Sequence, residues 1–441
     1  MTGSTDTIVS IATPPGRGGV GIVRVSGDLA ITIAEAMLGS LPEPRRATLS
    51  AFRDSDGQRM DEGLALYFPG PESFTGEDVL ELHGHGGPVI LALVVDRAIA
   101  LGARRAEPGE FSKRAFLNDK LDLAQAEAIA DLIESGTEQA ARAAVRSLSG
   151  AFSAAVLELV VKLTELRVYV EAAIDFPEEE IDFLSDDALN KRLDDCGREF
   201  ADLLANATVG RVLRDGYQIV LVGQPNAGKS SLMNRLSGED TAIVTEIAGT
   251  TRDVLRERID IDGLAVELVD TAGLRENPGV IEMEGIRRAK DAMANADAVL
   301  WVQDANDSQP DRPELPDGVP VLIVRNKIDI AESRDDFDDH TIEISAKTGE
   351  GIDALRDRIR RLAGYRDLGE GAFTARQRHV EAIERAARSF ATGRAALTES
   401  RAGELLAEEL RLAQQALGEI TGEVSSDDLL GKIFSSFCIG K

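Results

Sequence analysis

The stretch GQPNAGKSS opens the chemistry of this sequence, because Gly223, Gly228, Lys229 and Ser230 satisfy the spacing G-x-x-x-x-G-K-S/T. Glycines at those places let successive backbone N–H groups close around a phosphate, at a helix N-terminus that already favours anions. Lys229 is then placed to neutralise β- and γ-phosphates, and the Ser230 hydroxyl to ligate Mg²⁺. Asn226, Ala227 and Ser231 belong to the same phosphate loop. Further along, the apolar run Val266 to Val269 ends in Asp270, Thr271, Ala272 and Gly273. Asp270 is suited to hold Mg²⁺ through its water shell, and the Gly273 N–H to sense a γ-phosphate.

Two later strand ends choose the base. Val321 to Val324 leads into Asn326, Lys327, Ile328 and Asp329. A carboxylate at Asp329 that accepts guanine's N1–H and 2-amino group would be left unpaired by adenine, so the pattern selects guanine. Ile342 to Ile344 runs into Ser345, Ala346 and Lys347, where such proteins support the base from its other side. Four motifs in this order, each at the end of an apolar strand, specify a nucleotide site far better than any one does. The residue after Gly273 is Leu274, where Ras-like switches carry the Gln that orients the attacking water, so catalysis must be organised differently.

The elements that position these motifs follow from apolar spacing. From about 216 to 365, short buried runs alternate with helical stretches, which predicts a doubly wound, mostly parallel sheet. Residues 1–118 mix short strands (Thr7 to Ile11, Val20 to Val25, Leu64 to Phe68, Val79 to Leu82) with Gly and Pro turns and a helix near 88–101, predicting a small α/β domain. Val145, Leu148, Phe152, Val156, Leu159, Leu163, Leu166 and Val170 recur at helical spacing, as do Val380, Ile383, Leu405, Leu406, Leu410, Leu417 and Ile420. The expected organisation is an N-terminal α/β domain (1–118), a helical domain in two pieces (119–214 and 371–441), and a nucleotide module (215–370) inserted between them.

Composition narrows the class. A chain of 441 residues with 43% hydrophobic content supports several cores, and the longest apolar run, Val89 to Val95, is too short to span a bilayer. Met1 to Ser10 has no basic segment before an apolar core, and the two cysteines, Cys196 and Cys438, give no metal-ligand spacing and no disulfide framework, so the reading is a cytoplasmic protein. A net charge of −28 excludes a protein that coats nucleic acid nonspecifically; any nucleic-acid contact is local. Acidic clusters at Glu178 to Glu180 and Asp335 to Asp339 read as solvated loops. Gly16, Gly18 and Gly21 match a dinucleotide fingerprint, but the Val20 to Val25 strand that follows denies it the required helix. His83 and His85 lack the companions a zinc site needs, and the acidic residues before Cys438 to Lys441 argue against prenylation.

The hydrophobic residue at Leu274 makes the module resemble the translation-factor-related GTPases, and within them the branch that uses a monovalent cation. There, the P-loop Asn226 and the loop formed by Thr245, Glu246, Ile247, Ala248, Gly249 and Thr250 contact the nucleotide, and K⁺ is held by Asn226, Thr245, Ile247 and Thr250. Thr251 supplies the second Mg²⁺ hydroxyl beside Ser230. Positive charge at that place on the developing phosphate charge is worth about 10³ to 10⁵ in rate.

With its flanks ATPPGRGGVGIVRVSG, FPGPESFTGEDVLELHGHGG, PGEFSKRAFLNDKLDLAQAEAI and FCIGK, the whole chain resembles the tRNA modification GTPase family MnmE, also called TrmE. The resemblance implies a homodimer that works with an FAD-carrying partner, MnmG, on the wobble uridine of tRNA, installing a carboxymethylaminomethyl or aminomethyl group at C5. The one-carbon donor is a reduced folate, 5-formyl- or 5,10-methylene-tetrahydrofolate. It implies folate contacts at Arg24, Glu81, Lys120 and Lys441, a catalytic thiol at Cys438, and an acidic residue at Glu282 that positions or deprotonates water. The segment ENPGVIEME departs from the common pattern, which leaves Glu284 as the alternative to Glu282. A switch of ribosome assembly or signalling, without modification chemistry, is the rival reading.

Overall fold

The computed structural model describes residues 6–175, 187–239, 255–270, 292–294, 296–307, 313–315, 318–331, 340–364, 371–424, 427–437 and 440. Contacts divide the chain into two units, residues 1–130 with 417–441, and residues 131–416.

In the first unit the strands are β1 (Ile8–Ile11), β2 (Gly18–Ser26), β3 (Thr48–Arg53), β4 (Arg59–Phe68), β5 (Val79–Gly86) and β6 (Arg104–Arg105). They form one sheet in the order β3-β4-β5-β2-β1-β6, antiparallel except for the β1/β6 pair. Helices α1 (Ala30–Leu38) and α2 (Pro88–Ala100) share a core with it, in which Val23, Val25, Leu80 and Leu82 meet Ile33, Met37, Leu91 and Val95. Strand side chains alternate between faces, so Arg24 and Glu81, paired in register across β2 and β5, point away from that core.

Helix α3 (Glu110–Leu117) sets Phe111 in a cluster with Ile8 and Ala106. Arg114 anchors the helix: 5% exposed, its guanidinium donates to the Asp6 carbonyl and to carboxylate oxygens of Asp6, Glu77 and Glu110. Burial pushes the Glu110 carboxyl up, but Arg104, the Glu107 N–H and Arg114 outweigh it and hold the group below the ordinary carboxylate range. Helix α4 (Leu123–Glu134) begins in this unit, where Leu123 and Ala126 pack with Leu430, Ile433, Phe434 and Phe437 of the C-terminal segment.

In the second unit, helices α5 (Glu138–Leu148), α6 (Ala151–Asp175) and α7 (Asp187–Asp215) lead to β7 (Tyr217–Val222), α8 (Lys229–Glu239), β8 (Leu255–Ile261), β9 (Leu264–Asp270), β10 (Ala298–Asp304), β11 (Val321–Asn326), β12 (Thr341–Glu343) and α9 (Ile352–Leu362). Helices α10 (Gln377–Ser400) and α11 (Gly403–Thr421) follow, with α12 (Asp427–Ser435) in the C-terminal segment. The sheet order is β12-β11-β10-β7-β9-β8, parallel throughout except for the β8/β9 hairpin. Ile219 and Leu221 of β7 face one apolar layer with Leu232 and Leu355, while Val220 and Val222 face another with Val299 and Trp301. Burial on both faces is why these strands read as continuous apolar runs.

The expected long stripe in the helical region is broken at Ser149 and Gly150, where α5 ends and Gly150 takes φ +88°. Phe152, Val156, Leu159, Leu163, Leu166 and Val170 are buried on α6, but Val145, on the earlier helix, is 47% exposed. Likewise Leu406 and Leu410 are buried while Leu405 faces out at 55% exposure. Periodicity assigned these two residues to a face that the bend and the helix rotation turn to solvent. Two of the described helices escaped the sequence reading: α1, whose stripe of Ala30, Ile33, Ala34 and Met37 ends with the helix, and α3, which buries the polar Glu110, Ser112 and Arg114 beside Phe111. Burial pushes the Cys196 thiol up to about 11, which marks it as core on α7. Among the described residues no single helix is long and apolar enough to cross a membrane.

Candidate functional site

The sheet of the second unit brings the motifs together because each ends a parallel strand at the same edge. β7 neighbours β10 on one side and β9 on the other, so the chain's path reverses at the β7/β10 boundary, where open α/β sheets bind ligands. A cavity of about 270 Å³ lies there, lined by Gln224, Asn226 and Ala227 of the loop after β7 and by Trp301, Asp304 and Asn306 around the end of β10.

Gly223 and Gly228 both sit at positive φ, and a Cβ at Gly228 would strike the Asn326 amide. Asn226 holds φ +65°, a conformation that Asn tolerates better than most residues. Lys229, 6% exposed, folds its ammonium onto the loop, donating 3.0 Å bonds to the carbonyls of Gly223 and Gln224. Ser230 donates from Oγ to Asp270 Oδ2 at 3.3 Å, so a hydroxyl and a carboxylate converge from separate elements. Among the described residues no three His, Cys, Asp or Glu side chains cluster as a metal cage. Mg²⁺ at a phosphate site does not need one, since one or two protein oxygens, waters and substrate phosphates suffice.

The other end of the site is built around Asn326, 2% exposed. Its Nδ2 donates to the Ala227 carbonyl at 3.0 Å, and its Oδ1 accepts from the N–H groups of Lys327 at 2.8 Å and Ala346 at 3.0 Å. One side chain thereby knits the loop after β7 to the loops after β11 and β12. Ser345 donates from Oγ to Asp329 Oδ1 at 2.8 Å and fixes that carboxylate at the open side of the site. Lys347 stands exposed beside them. Asp304 was not expected from sequence: at the end of β10 it accepts from Lys327 Nζ at 2.8 Å. Burial pushes the Asp304 carboxyl up, but Lys327 and the Asn306 N–H lower it further, holding it below the usual carboxylate range. A position at a strand end, like that of Asp270, was the signal that could have revealed it.

In the first unit, Arg24 and Glu81 do meet. Arg24 Nε donates to Glu81 Oε1 at 2.9 Å, and Glu81 Oε2 lies 3.0 Å from His83 Nε2. Rings flank the guanidinium: Phe74 at 5.3 Å and Phe111 at 5.7 Å to the centroids. Phe74 is itself 36% exposed. A charged acceptor, a planar cation and an open aromatic face together suit a flat, N–H-rich heterocycle with an acidic tail. Lys120 is exposed in the turn after α3, its N–H donating to the Ala115 carbonyl at 2.8 Å. The two histidines go to different carboxylates, His83 to Glu81 and His85 Nδ1 to Asp61 Oδ1 at 2.7 Å.

Gly440, at φ +97°, packs so closely on the end of β1 that a Cβ would strike the Ile11 carbonyl. Ser10, next to Ile11 on β1, is the register partner of Arg24. Cys438 and Lys441 themselves lie outside the described residues, as do Thr245 to Thr251, Thr271 to Gly273, Leu274, Glu282 and Glu284.

The model of the GTP-binding protein TrmE N-terminus matches residues 7–120, and that of the MnmE helical domain matches residues 123–438. The tRNA modification GTPase MnmE of Yersinia pseudotuberculosis serotype IB (strain PB1/+) is 57% identical over 452 residues, covering 99% of this chain and 100% of that protein. Its counterpart in Pectobacterium carotovorum subsp. carotovorum (strain PC1) is 56% identical over the same span and coverage. Among solved structures, the G domain of the T. maritima FeoB iron transporter aligns with 33% of this chain and 98% of its own at 25% identity, with a TM-score of 0.25, too loose a fit to carry an argument. Identity at this level over 99% of the chain, with family models that match residues 7–120 and 123–438, means that the chain belongs to the MnmE (TrmE) family of tRNA modification GTPases.

Proposed function

We propose that the chain is a GTP hydrolase acting in tRNA modification, with guanine nucleotide held between the loop after β7 and the loops after β11 and β12. The observation that carries this reading is the convergence of Lys229, Ser230 and Asp270 at one end with Asn326, Asp329 and Ser345 at the other, joined through the Asn326 amide. Lys229 would exchange its two carbonyl partners for β- and γ-phosphate oxygens, and Asp329 would accept from guanine N1–H and the 2-amino group. Ser230 and Thr251 would hold Mg²⁺, with Asp270 acting through its waters; the bound ion supplies charge stabilisation at the phosphates. Asn226 with Thr245, Ile247 and Thr250 would hold K⁺, and Glu282 would position the attacking water. Thr245 to Thr251, Thr271 to Gly273, Lys327, Ala346 and Lys347 complete the nucleotide contacts.

The domain division we infer is 1–118, 119–214 with 371–441, and an inserted 215–370. The first of these would dimerise and bind a reduced folate through Arg24, Glu81 and Lys120, with Cys438 and Lys441 at the same site. With an FAD-carrying MnmG partner, the homodimer would alter C5 of the tRNA wobble uridine in the cytoplasm. Support for the folate part comes from the aromatic-flanked Arg24–Glu81 pair.

Two measurements test this. GTP hydrolysis at equal ionic strength is expected to be faster in K⁺ than in Na⁺ by at least an order of magnitude, since a correctly placed positive charge on the transferring phosphoryl group is worth about 10³ or more; equal rates would remove the cation from the proposal. Calorimetric titration with 5-formyltetrahydrofolate should show saturable binding that Lys120→Ala abolishes while GTP hydrolysis stays nearly intact. No binding by the folded full-length protein would instead favour a switch without modification chemistry.

A further inference from the structure

Arg235 is a side chain that the four nucleotide motifs leave unassigned. Arg235 lies on α8, six residues after Lys229, on the helix whose first turn serves the phosphates. It is half-buried and reaches across to the loop after β12, where Nε donates to the Ala346 carbonyl at 2.9 Å and Nη2 to the Lys347 carbonyl at 2.5 Å. Two successive peptide carbonyls are thus held by one planar fork, a geometry that a single ammonium cannot reproduce. The Ala346 peptide is gripped from both sides, its N–H by Asn326 Oδ1 and its carbonyl by Arg235. Ala346 is 6% exposed, so its carbonyl has little water to turn to if the guanidinium is lost. The same loop holds Ser345, whose hydroxyl bonds Asp329, and closes on itself through Ser345 N–H to the Glu350 carbonyl at 2.9 Å and Gly349 N–H to the Ser345 carbonyl at 2.8 Å.

We infer that Arg235 is a positioning residue for guanine recognition, locking the base-supporting loop to the phosphate-binding helix so that the two ends of the nucleotide are read at a fixed separation. The inference rests on the proposed guanine-nucleotide site. Arg235 touches neither phosphate nor base; it acts through Ala346, Lys347 and, beyond them, Ser345 and Asp329. Its effect therefore falls on affinity and base discrimination, and the phosphoryl-transfer step is left alone.

The experiment compares full-length wild type, Arg235→Ala and Arg235→Lys. It measures Kd for fluorescent GDP and ADP analogues, and KM and kcat for GTP, alongside thermal unfolding without nucleotide. Arg235→Ala should raise the Kd for the GDP analogue and KM roughly tenfold, the scale of losing a charge-assisted pair of hydrogen bonds, with kcat at saturation within about twofold of wild type. The weak affinity for the ADP analogue should stay put, so the GDP/ADP ratio shrinks by the same tenfold. Arg235→Lys, able to serve one carbonyl, should fall between the two. An unchanged GDP/ADP ratio in Arg235→Ala overturns the inference, as does a drop in unfolding temperature with equal weakening of both nucleotides, which would mark a purely structural role. A wild type that fails to prefer GDP over ADP would instead overturn the nucleotide reading on which the inference stands.

Discussion

Asp329→Asn is expected to weaken GTP binding by on the order of 10³-fold and to create comparable affinity for xanthosine triphosphate, read as the KM of hydrolysis for each nucleotide. The reasoning is one of donors and acceptors. A carboxylate only accepts, and guanine presents two donors, N1–H and the 2-amino group. An amide turns one of those places into a donor facing a donor, leaving polar groups unpaired at the contact. Xanthine carries an oxygen where guanine carries the 2-amino group, so the amide N–H finds an acceptor there. The substitution should leave the loop undisturbed, because Ser345 Oγ, which now donates to Asp329 Oδ1 at 2.8 Å, donates equally well to an amide oxygen. A GTP KM unchanged by the substitution would mean that Asp329 does not read the base.

The second large effect concerns how the nucleotide module is joined to its helical neighbours. Asp131, 5% exposed on α4, accepts from Arg214 Nε at 2.9 Å and from Arg376 Nη2 at 2.7 Å. Arg214 ends α7 just before the chain enters β7, and Arg376 caps α10 just after the chain leaves the module. One carboxylate therefore ties the way in to the way out. Around it, the Thr374 N–H donates to Ser147 Oγ at 2.9 Å, Phe152 stacks on Phe373 with centroids 4.7 Å apart, and Gly210 leaves no room for a Cβ beside the Phe373 carbonyl.

Asp131→Ala removes the acceptor that the two guanidiniums share, which should cost about 3 kcal/mol, the lower end for breaking a buried ion pair because Arg214 keeps Asp215 and both arginines keep some solvent. Denaturant unfolding of the full chain measures it. Asp131→Asn should cost about half as much, since the amide oxygen still accepts. The functional consequence is expected to be selective: intrinsic GTP hydrolysis survives, while tRNA modification declines. Loss of both activities in parallel, or of neither, would show that this clamp does not couple them.

Much of the nucleotide site was legible in the sequence because its parts are local. A phosphate loop, an aspartate and two base-reading loops are each a few residues long, and each follows an apolar strand whose parallel pairing puts every C-terminal end at one edge. Arg24 and Glu81 came from the family resemblance, and what makes them neighbours is the antiparallel register of β2 and β5. Alternation could predict that each faces away from the core, but no rule of spacing says that residues 24 and 81 pair.

The amino-acid sequence by itself determined the order of the motifs, the preference for guanine, and the stripe of Phe152, Val156, Leu159, Leu163, Leu166 and Val170 that buries α6, since these depend on side-chain chemistry and on helix and strand periods. Tertiary structure decided the rest: that Asp131 joins Arg214 and Arg376, that Asp304 holds Lys327, that Arg235 grips the loop after β12, and that Gly440 lies against Ile11. Each of these joins residues far apart in the chain, the first three through polar groups and the last through a glycine's close approach, and none has a periodic signature. Their partners are chosen by which elements the apolar layers bring within hydrogen-bond reach, and that is settled only when the cores close.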